Sequence, residues 1–383
     1  MKKLCGRLIL AAQAAALLLF AGGCGDYQKI NDRSQIIGIG VDPVPDKPDM
    51  LAFTLQVPDL EATTSQSPSL GTGGRQGGEA MPYKNFYVEA TSVQSAVSRA
   101  QTMYNKSFFL GNLETVVLQT GLSERDLTRV TEQLMRDETI DKLAYVVATR
   151  DSARSVLEAR THAPPATTIE GMWYNDMPQR GYSAPEKLWQ FWRDAELVGR
   201  EPHAPLVEAT DDSIRLVGTE LYFGYQPVGW LSPDDTLFYN FLAGQVRDIS
   251  ISVPDGARTL DIRVVRSRVH LAEDWKGKRA VLWDDIRVRA NLNSTETMAQ
   301  RPLTNREVER YEDIVEHYVR DQCLRVLRAM QSVQADAIGF GYRYLIRQPE
   351  RLFYIREHLG DAFGNADVHN QVSCRISREG NLL

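Results

Sequence analysis

The least polar stretch of the chain lies near its start. Residues 8–21 (LILAAQAAALLLFA) contain a single polar side chain, Gln13, and they are preceded by three basic residues, Lys2, Lys3 and Arg7. The run is shorter than the roughly 20 residues that a membrane-spanning helix needs. A basic start, a short apolar core and small residues after it are typical of a secretory signal. We therefore predict an export signal over residues 1–23.

The first half of the body mixes strand-like and helical patterns. Short or alternating apolar runs predict strands, and apolar residues three or four apart predict helices. Strands are predicted at residues 36–41, 51–57, 114–119 and 143–148, and helices at residues 87–104, from Ser123 and at 152–159. Ser123 is the predicted N-cap of its helix, with Asp126 at the third helical position.

Two regions depart from this pattern. Residues 63–79 (TTSQSPSLGTGGRQGGE) contain five glycines and almost no large apolar side chain. Such a segment cannot offset its ordering entropy by burial, so we expect a mobile, exposed loop. Residues 162–205 interleave six prolines with Trp173, Trp189 and Trp192. A domain boundary is expected in or just beyond this Pro/Trp-rich region.

The second half is organised around long strands and one long helix. The predicted elements are a hairpin over 214–225 and 227–231, a helix starting at Ser232-Pro233-Asp234-Asp235, strands at 260–271, 281–292 and 367–376, and a helix whose capping box is Thr304 and Glu307. Because strand and helix blocks alternate without a strict βαβ order, the predicted class is α+β, with mixed or antiparallel sheets flanked by helices.

The length of the chain bounds the number of domains. Without residues 1–23, 360 of the 383 residues remain, and at roughly 150 residues per domain this predicts two to three domains. We place an N-terminal domain at 24–208, including the mobile loop and the Pro/Trp-rich region, and a C-terminal domain at 209–383.

Composition and charge narrow the class of partner. The chain is 43% hydrophobic and 25% charged, as globular proteins are. Removal of the signal changes the formal net charge from −6 to −9, which disfavours binding to nucleic acid or to anionic lipid headgroups. Arg263, Arg266 and Arg268 form a basic strand, and we expect them to pair with Asp284 and Asp285 on the facing strand.

The chain shows no catalytic motif. It lacks a Walker loop, a Gly-x-Ser-x-Gly elbow and a His-Glu-x-x-His helix, and its six histidines are not at metal-ligand spacing. Adjacent carboxylates such as Asp234-Asp235 are better explained as caps and turns, since the side chains of neighbours do not face each other. We predict a protein that is not an enzyme and has no metal or cofactor site.

Cysteine usage points to a lipid anchor. Ala21-Gly22-Gly23-Cys24 resembles the lipobox of bacterial lipoproteins, in which the cysteine sulfur is acylated with a diacylglycerol and becomes the new N-terminus. Two acyl chains are enough for stable attachment to a membrane. In the body, Cys323 lies in a helical pattern and Cys374 in a strand-like one. They are either two small buried hydrophobes or a disulfide, which an exported protein permits.

Several stretches in one order resemble the Ger(x)C lipoprotein subunits of bacterial spore germinant receptors. The matching segments are Cys24, Asn31-Asp32, residues 37–42 (IGIGVD), Gly111-Asn112-Leu113, residues 134–137 (LMRD), residues 229–236 (GWLSPDDT), Asn240-Phe241-Leu242 and residues 335–341 (ADAIGFG). The sequence departs from the family at Gly25, where a Trp is common, and at Asn112, where a His is common.

The resemblance implies a non-enzymatic C subunit of a germinant receptor. Such a subunit is lipid-anchored through Cys24 on the outer surface of the spore inner membrane. It assembles with the membrane-embedded A and B subunits and serves nutrient-triggered germination. The alternative from another class is an exported substrate-binding lipoprotein for a transporter, which requires a deep pocket between two α/β lobes. An anchored hydrolase is a third and weaker alternative, because no nucleophile and base are arranged for it.

Overall fold

The structure is a computed structural model that describes residues 33–59, 81–174, 181–276, 279–294, 303–355 and 358–377. The predicted signal over 1–23, Cys24 and the predicted loop at 63–79 lie outside the described residues. No helix within the described ranges is both long enough and apolar enough to cross a bilayer.

The described residues of the N-terminal unit form eleven strands and five helices. The strands are β1 (Arg33–Gln35), β2 (Gly38–Pro43), β3 (Leu51–Pro58), β4 (Tyr83–Ala90), β5 (Ser107–Phe109), β6 (Thr115–Gln119), β7 (Tyr145–Thr149), β8 (Glu186–Lys187), β9 (His203–Ala209), β10 (Ile214–Phe223) and β11 (Gln226–Leu231). The helices are α1 (Val93–Gln101), α2 (Glu124–Arg136), α3 (Ala153–Glu158), α4 (Pro165–Tyr174) and α5 (Leu188–Glu196).

Nine of these strands form one mixed sheet, the N-terminal sheet. Its order is β11-β10-β9-β7-β6-β2-β3-β4, with β8 beside β7, and β1 pairs separately with β5. The central strands β2, β6, β7 and β9 are parallel. Helices cover both faces: Val116 packs with α1, α2 and α5, whereas Val117 packs with α3 and α4. The near-continuous apolar runs of β6 and β7 follow from burial on both sides.

The glycine motif of β2 fits helices closely against this sheet. A Cβ on Gly38 would lie 2.8 Å from the Ala166 Cβ, and one on Gly40 would lie 3.1 Å from a Leu157 methyl. Asp42 then accepts the backbone N–H groups of Ala153 at 2.6 Å and of Arg154 at 3.0 Å. A carboxylate at these free N–H groups stabilises the start of α3.

The C-terminal unit consists of a four-stranded sheet and helices packed on one of its faces. The helices are α6 (Pro233–Leu242), α7 (Asn305–Ser332), α8 (Phe340–Arg347), α9 (Leu352–Ile355) and α10 (Leu359–Gly364), and the strands are β12 (Arg247–Asp255), β13 (Arg258–Lys276), β14 (Arg279–Ser294) and β15 (Asp367–Ser377). The order of the C-terminal sheet is β12-β13-β14-β15, with only the last pair parallel. The predicted α+β class with mixed and antiparallel sheets is confirmed.

The predicted helix starts agree with the structure. Ser123, Ser232 and Thr304 are N-caps whose side-chain oxygens accept the N–H of the residue three positions on. Thr304 and Glu307 form the full capping box.

Three local predictions need correction. Residues 87–90 belong to β4 and not to the predicted helix, which is confined to α1. The Pro/Trp-rich region is more regular than its pattern indicates, because it contains α4, α5 and the start of β9. The domain boundary at residues 208/209 stays a prediction; the N-terminal sheet extends beyond it through the pairing of β10 with β9 and of β11 with β10.

The strand register overturns the third prediction, the expected arginine–aspartate pairing. Arg266 lies opposite Arg289 and Arg268 opposite Arg287, because an irregularity between Val264 and Arg266 shifts the register. Asp284 points into the core instead of toward the arginines, and it is 1% exposed.

The two body thiols are free and buried. Burial raises the pKa of Cys323 well above its ordinary value and that of Cys374 to about 12. Of the two alternatives, the structure shows the two buried small side chains and no bridge between them.

Candidate functional site

A cleft of about 660 Å³ lies between the two units. Both units supply its walls, mainly through the segment before α5, the start of β9, the end of α6 and the turn that leads into α8. The lining residues are Tyr145, Trp173, residues 183–187, Gln190, Arg200, His203, Tyr239, Asn240, Ala243, Gln245, residues 269–271, residues 337–339, Tyr342, Arg343 and Ile346.

Asn240, from one of the segments that resembles the germination family, holds the cleft wall together. Its side-chain NH₂ donates to the carbonyl oxygen of Gly181 at 3.0 Å and to that of Ser183 at 2.9 Å. Ser183 in turn accepts the Trp173 indole N–H at 2.9 Å. These bonds connect α6 of the C-terminal unit to the chain that follows α4.

Behind the wall lies a cluster of ionisable side chains, here called the junction cluster: Glu186, Arg193, Asp194, Arg200 and His203. The two acids and the histidine are buried, and the two arginines are partly exposed. Asp194 is fully buried and receives the Arg193 Nε–H at 2.6 Å, and its second oxygen lies 2.9 Å from the Arg200 Nε. The Asp194 charge is thus hydrogen-bonded by Arg193 on one oxygen, whereas Arg200 compensates the other by proximity alone, without a hydrogen bond.

Glu186 and His203 form the neutral part of the junction cluster. Their side chains approach to 3.4 Å between Oε2 and Nε2. Burial, with Asp194 adding to it, raises the pKa of Glu186 well above its usual value. Burial, followed by the nearby Arg200 and Arg193, lowers the pKa of His203 to about 3. Burial therefore favours the uncharged form of both the acid and the imidazole.

The turn that leads into α8 belongs to the C-terminal unit and lies against Arg200 of the junction cluster. Asp336 accepts the N–H groups of Gly339 and Gly341, both at 2.8 Å, and burial raises its pKa to about 6. Gly339 adopts a left-handed backbone with φ of 85°. This accounts for the segment 335–341 of the family resemblance: its carboxylate and glycines build the helix start that faces the N-terminal unit.

Gly199 lets the two backbones approach each other at this point. It has φ of 90°, and a Cβ there would lie 2.6 Å from both the Gly341 carbonyl carbon and the Tyr342 nitrogen. Its carbonyl oxygen accepts the Tyr342 N–H at 2.6 Å. Glu201, whose pKa burial raises to about 7, accepts the Gly224 N–H at 2.6 Å and fixes the same loop on its other side.

The described residues where the two units meet provide several hydrogen-bonding groups. The acid and the imidazole of the junction cluster contact each other and Tyr239, whose hydroxyl lies 3.5 Å from His203 Nδ1 and donates to the Ala337 carbonyl at 3.3 Å. Within the described residues, no three His, Cys, Asp or Glu side chains are grouped as metal ligands. The geometry suits binding of a polar ligand or a fixed contact between the two units.

The sequence predicted part of this site. Asn240, Asp336 and the glycines of 335–341 belong to segments of the family resemblance, whereas Glu186 and Asp194 were missed. The signal available for them was the Pro/Trp-rich region itself, since Trp173 is buried at the cleft and Glu186 follows Pro185. The predicted lipidation site, Cys24, lies outside the described residues.

Comparison with known proteins identifies the family. Residues 26–209 match the family model described as the spore germination protein N-terminal domain. Residues 218–380 match the model described as spore germination B3/GerAC like, C-terminal. The chain belongs to this family of spore germination proteins, which is not a known enzyme family, and the resemblance drawn from the sequence motifs is confirmed.

Individual relatives are similar over most of their length. The chain is 21% identical to the putative spore germination protein YfkR of Bacillus subtilis (strain 168), over 96% of this chain and 95% of the relative. It is 17% identical to the spore germination protein GerQC of Bacillus cereus, over 73% and 79% respectively. The crystal structure of the GerBC protein has the same fold, with a TM-score of 0.57 and 16% identity, covering 88% of this chain and 96% of that one.

Proposed function

We propose that this protein is the lipid-anchored C subunit of a spore germinant receptor, required for assembly or signalling of nutrient-triggered germination and without catalytic activity of its own. The observation that carries the proposal is the match of both halves of the chain, in order, to the two domains of the germination family.

Attachment to the membrane is the physical core of this role. Cys24 follows the export signal directly, and each buried CH₂ of an acyl chain contributes about 0.8 kcal/mol to membrane binding. A diacylglycerol on Cys24 therefore holds the protein on the outer surface of the spore inner membrane. Confinement to that plane raises its effective concentration toward the membrane-embedded A and B subunits.

The junction cluster gives this subunit a defined shape. Two backbone hydrogen bonds join the two units, from the Tyr342 N–H to the Gly199 carbonyl and from the Glu201 N–H to the Asp336 carbonyl. Asp194, with Arg193 and Arg200, supports the N-terminal side of these bonds. Two units in a fixed arrangement present a single composite surface to the other subunits. Loss of either half then disrupts assembly even though no reaction takes place there.

The anchoring proposal is tested with Cys24→Ala, and Cys5→Ala is the matched control because it also lies in the first 24 residues. The Cys24 variant is expected to lose incorporation of a clickable fatty acid, to leave the spore membrane fraction and to impair germination. The Cys5 variant is expected to behave as the wild type. Acylation that persists without Cys24 would refute the anchoring.

The partner proposal is tested by co-purification from spore membranes. We expect the tagged protein to retain two multi-span membrane proteins, and a variant truncated after residue 231 to lose them. Recovery of the tagged protein alone from gently solubilised membranes, with its acylation intact, would refute the receptor assignment while leaving the anchor in place.

The interdomain cleft favours one second candidate, a substrate-binding lipoprotein of a transporter. Its volume of about 660 Å³ is within the range of small-molecule sites. The test is thermal unfolding with a panel of amino acids and sugars. A rise in melting temperature of several degrees, abolished by Asn240→Ala but not by Asn105→Ala at an exposed position outside the cleft, would support this candidate.

A further inference from the structure

Among the described elements, no helix packs on the second face of the C-terminal sheet, and arginines form a row across that face. Arg247 on β12 lies opposite Arg266 on β13, Arg266 lies opposite Arg289 on β14, and Arg289 lies opposite Arg375 on β15. All four side chains are exposed. The row therefore crosses the full width of the sheet.

A second pair of arginines lies beside this row. Arg268 and Arg287 are opposite each other and exposed on the same face. We call these six residues the arginine band: Arg247, Arg266, Arg268, Arg287, Arg289 and Arg375.

Carboxylates compensate only part of the band. Asp285 is ion-paired with Arg287 at 2.7 Å, and Glu312 lies 3.3 Å from Arg375 at the sheet edge. The other acid beside the band, Asp248, is held by Arg263 at 2.6 Å. Among the described residues, no carboxylate is ion-paired with Arg247, Arg266, Arg268 or Arg289.

Such an arrangement works against folding. Like charges directly opposite each other on neighbouring strands are about 4.5–5.5 Å apart at Cβ and are destabilising. The interior of the sheet gains nothing from them, because the inward residues on the same strands, such as Val264, Ile286 and Val288, already form the core. An anion that binds to this face would relieve the repulsion.

The shape of the face distinguishes between anionic partners. The band runs across four strands instead of along one groove, so it fits a planar array of phosphates, which guanidinium groups bind through paired N–H donors. Trp283, on the same face, is 39% exposed, and Val265 is 43% exposed. Tryptophan beside basic residues is typical of surfaces at the membrane–water interface.

The nearby sheet edge is closed to an added peptide strand. On β15 the N–H groups of Cys374 and Ile376 donate to the Glu316 and Glu312 carboxylates at 2.7 and 2.8 Å. An acidic peptide therefore lacks the free N–H row that strand addition requires.

We propose that the arginine band binds the anionic phospholipid surface of the membrane. The inference deepens the proposed membrane role and rests on it for its biological setting, but it is independent of acylation. The formal net charge of −9 without the signal, which by itself disfavours anionic lipid, does not describe this face, since the register collects the positive charge on one side of one sheet.

The test is co-sedimentation of residues 25–383, which keep every described residue but carry no acyl group, with lipid vesicles. We expect binding to phosphatidylcholine vesicles that contain one third phosphatidylglycerol, and little binding to phosphatidylcholine alone. Binding should weaken between about 0.1 M and about 1 M salt, because screening shortens the reach of the charges. Arg266→Gln/Arg289→Gln is expected to weaken it roughly 25-fold, about five-fold for each arginine.

Two further variants make the result specific. Arg306→Gln/Arg328→Gln removes the same charge from exposed positions on α7, which packs on the other face of the sheet, and should bind as the wild type. Arg266→Lys/Arg289→Lys keeps the charge and should retain most of the binding. Neither glutamine pair should lower the melting temperature, so loss of binding is separable from unfolding.

Three outcomes would overturn the proposal. They are absence of binding to the anionic vesicles, equal loss of binding in the α7 control pair, and binding that poly-glutamate captures while the vesicle headgroup makes no difference. The last result would assign the face to an acidic polypeptide. Each leaves the test of Cys24 acylation unaffected, so failure of this face is distinguishable from failure of the anchor.

Discussion

The two sheets of this protein differ in how their faces are covered. The N-terminal sheet has helices on both sides, so Val116 and Val117 enter two different cores from adjacent positions. In the described part of the chain, helices pack on one side of the C-terminal sheet, and its strands alternate buried and exposed residues. The side chains of the first sheet are therefore fixed by packing on both faces, whereas one face of the second sheet is a broad surface on which packing does not constrain the side chains.

The largest difference is expected when one aromatic side chain is removed from each sheet. Phe191 is fully buried against the N-terminal sheet and contacts Tyr222 edge-on at 5.1 Å. Phe191→Ala should lower the free energy of unfolding by about 3–5 kcal/mol. Trp283→Ala removes a side chain from the face of the C-terminal sheet that carries the arginine band, here called the open face. It should lower the free energy of unfolding by about 1 kcal/mol or less. Urea denaturation measures both, and equal losses would mean that the open face is packed.

The helix-covered face of the C-terminal sheet contains a carboxyl group that should make the free energy of unfolding depend on pH. Asp284 is 1% exposed, and burial raises its pKa to about 7. The folded protein then holds this proton more tightly than the unfolded chain does, so the free energy of unfolding falls as pH rises from about 4 to about 7.

Asp284→Asn removes this contribution to the pH dependence. We expect the variant to be more stable than the wild type by roughly 2–4 kcal/mol near pH 8, with little gain near pH 4. Asp313→Asn, at an exposed position on α7, is the control and should leave the slope unchanged. Urea titrations at several pH values measure the effect. If the free energy of unfolding changes with pH equally in Asp284→Asn and the wild type, the pKa of this carboxyl is the same in the folded and the unfolded chain.

The junction between the units offers a comparison of two glycines. Gly199 and Gly256 both have positive φ, but a Cβ on Gly199 would lie 2.6 Å from backbone atoms of α8, whereas one on Gly256 would meet nothing within 4 Å. We expect Gly199→Ala to destabilise by about 2–3 kcal/mol and Gly256→Ala by about 1 kcal/mol. Thermal unfolding should also become less cooperative in the first variant, because the contact between the two units is lost. Equal effects would mean that only the backbone angle matters.

The smallest expected effect concerns repulsion on the open face. Arg266→Gln removes a charge that faces Arg247 and Arg289, so it should raise stability by about 0.2–1 kcal/mol at low salt. The gain should shrink at high salt, where screening already weakens the repulsion. Arg328→Gln on α7 should produce no such salt-dependent gain in melting temperature. A loss of stability in Arg266→Gln would indicate that this arginine has a stabilising partner.

Features with local causes could be predicted from the sequence. The caps at Ser123, Ser232 and Thr304 depend on residues within three positions of one another, and the strand β6 is defined by its own apolar run. The family segments also contained Asn240 and Asp336 of the cleft.

Features that depend on distant parts of the chain could not be predicted. The arginine band arises from an irregularity at Val264/Arg266 that changes which residues face each other, and an alternating pattern alone does not reveal such a shift. The contacts of Glu186 and Asp194 are made with residues such as Arg200 and His203, which approach them only in the folded protein. The sequence pattern around them indicated loose structure because prolines and tryptophans interrupt its periodicity.

The two glutamates at the edge of β15 have a consequence for crowding. Proteins tethered to one membrane meet their own copies at high density and in similar orientations, which favours pairing of exposed strand edges. Glu312 and Glu316 occupy the N–H groups of Ile376 and Cys374, so these two donors are not available to a strand from another copy. The subunit can therefore be concentrated in the membrane plane with less tendency for this edge to template aggregation.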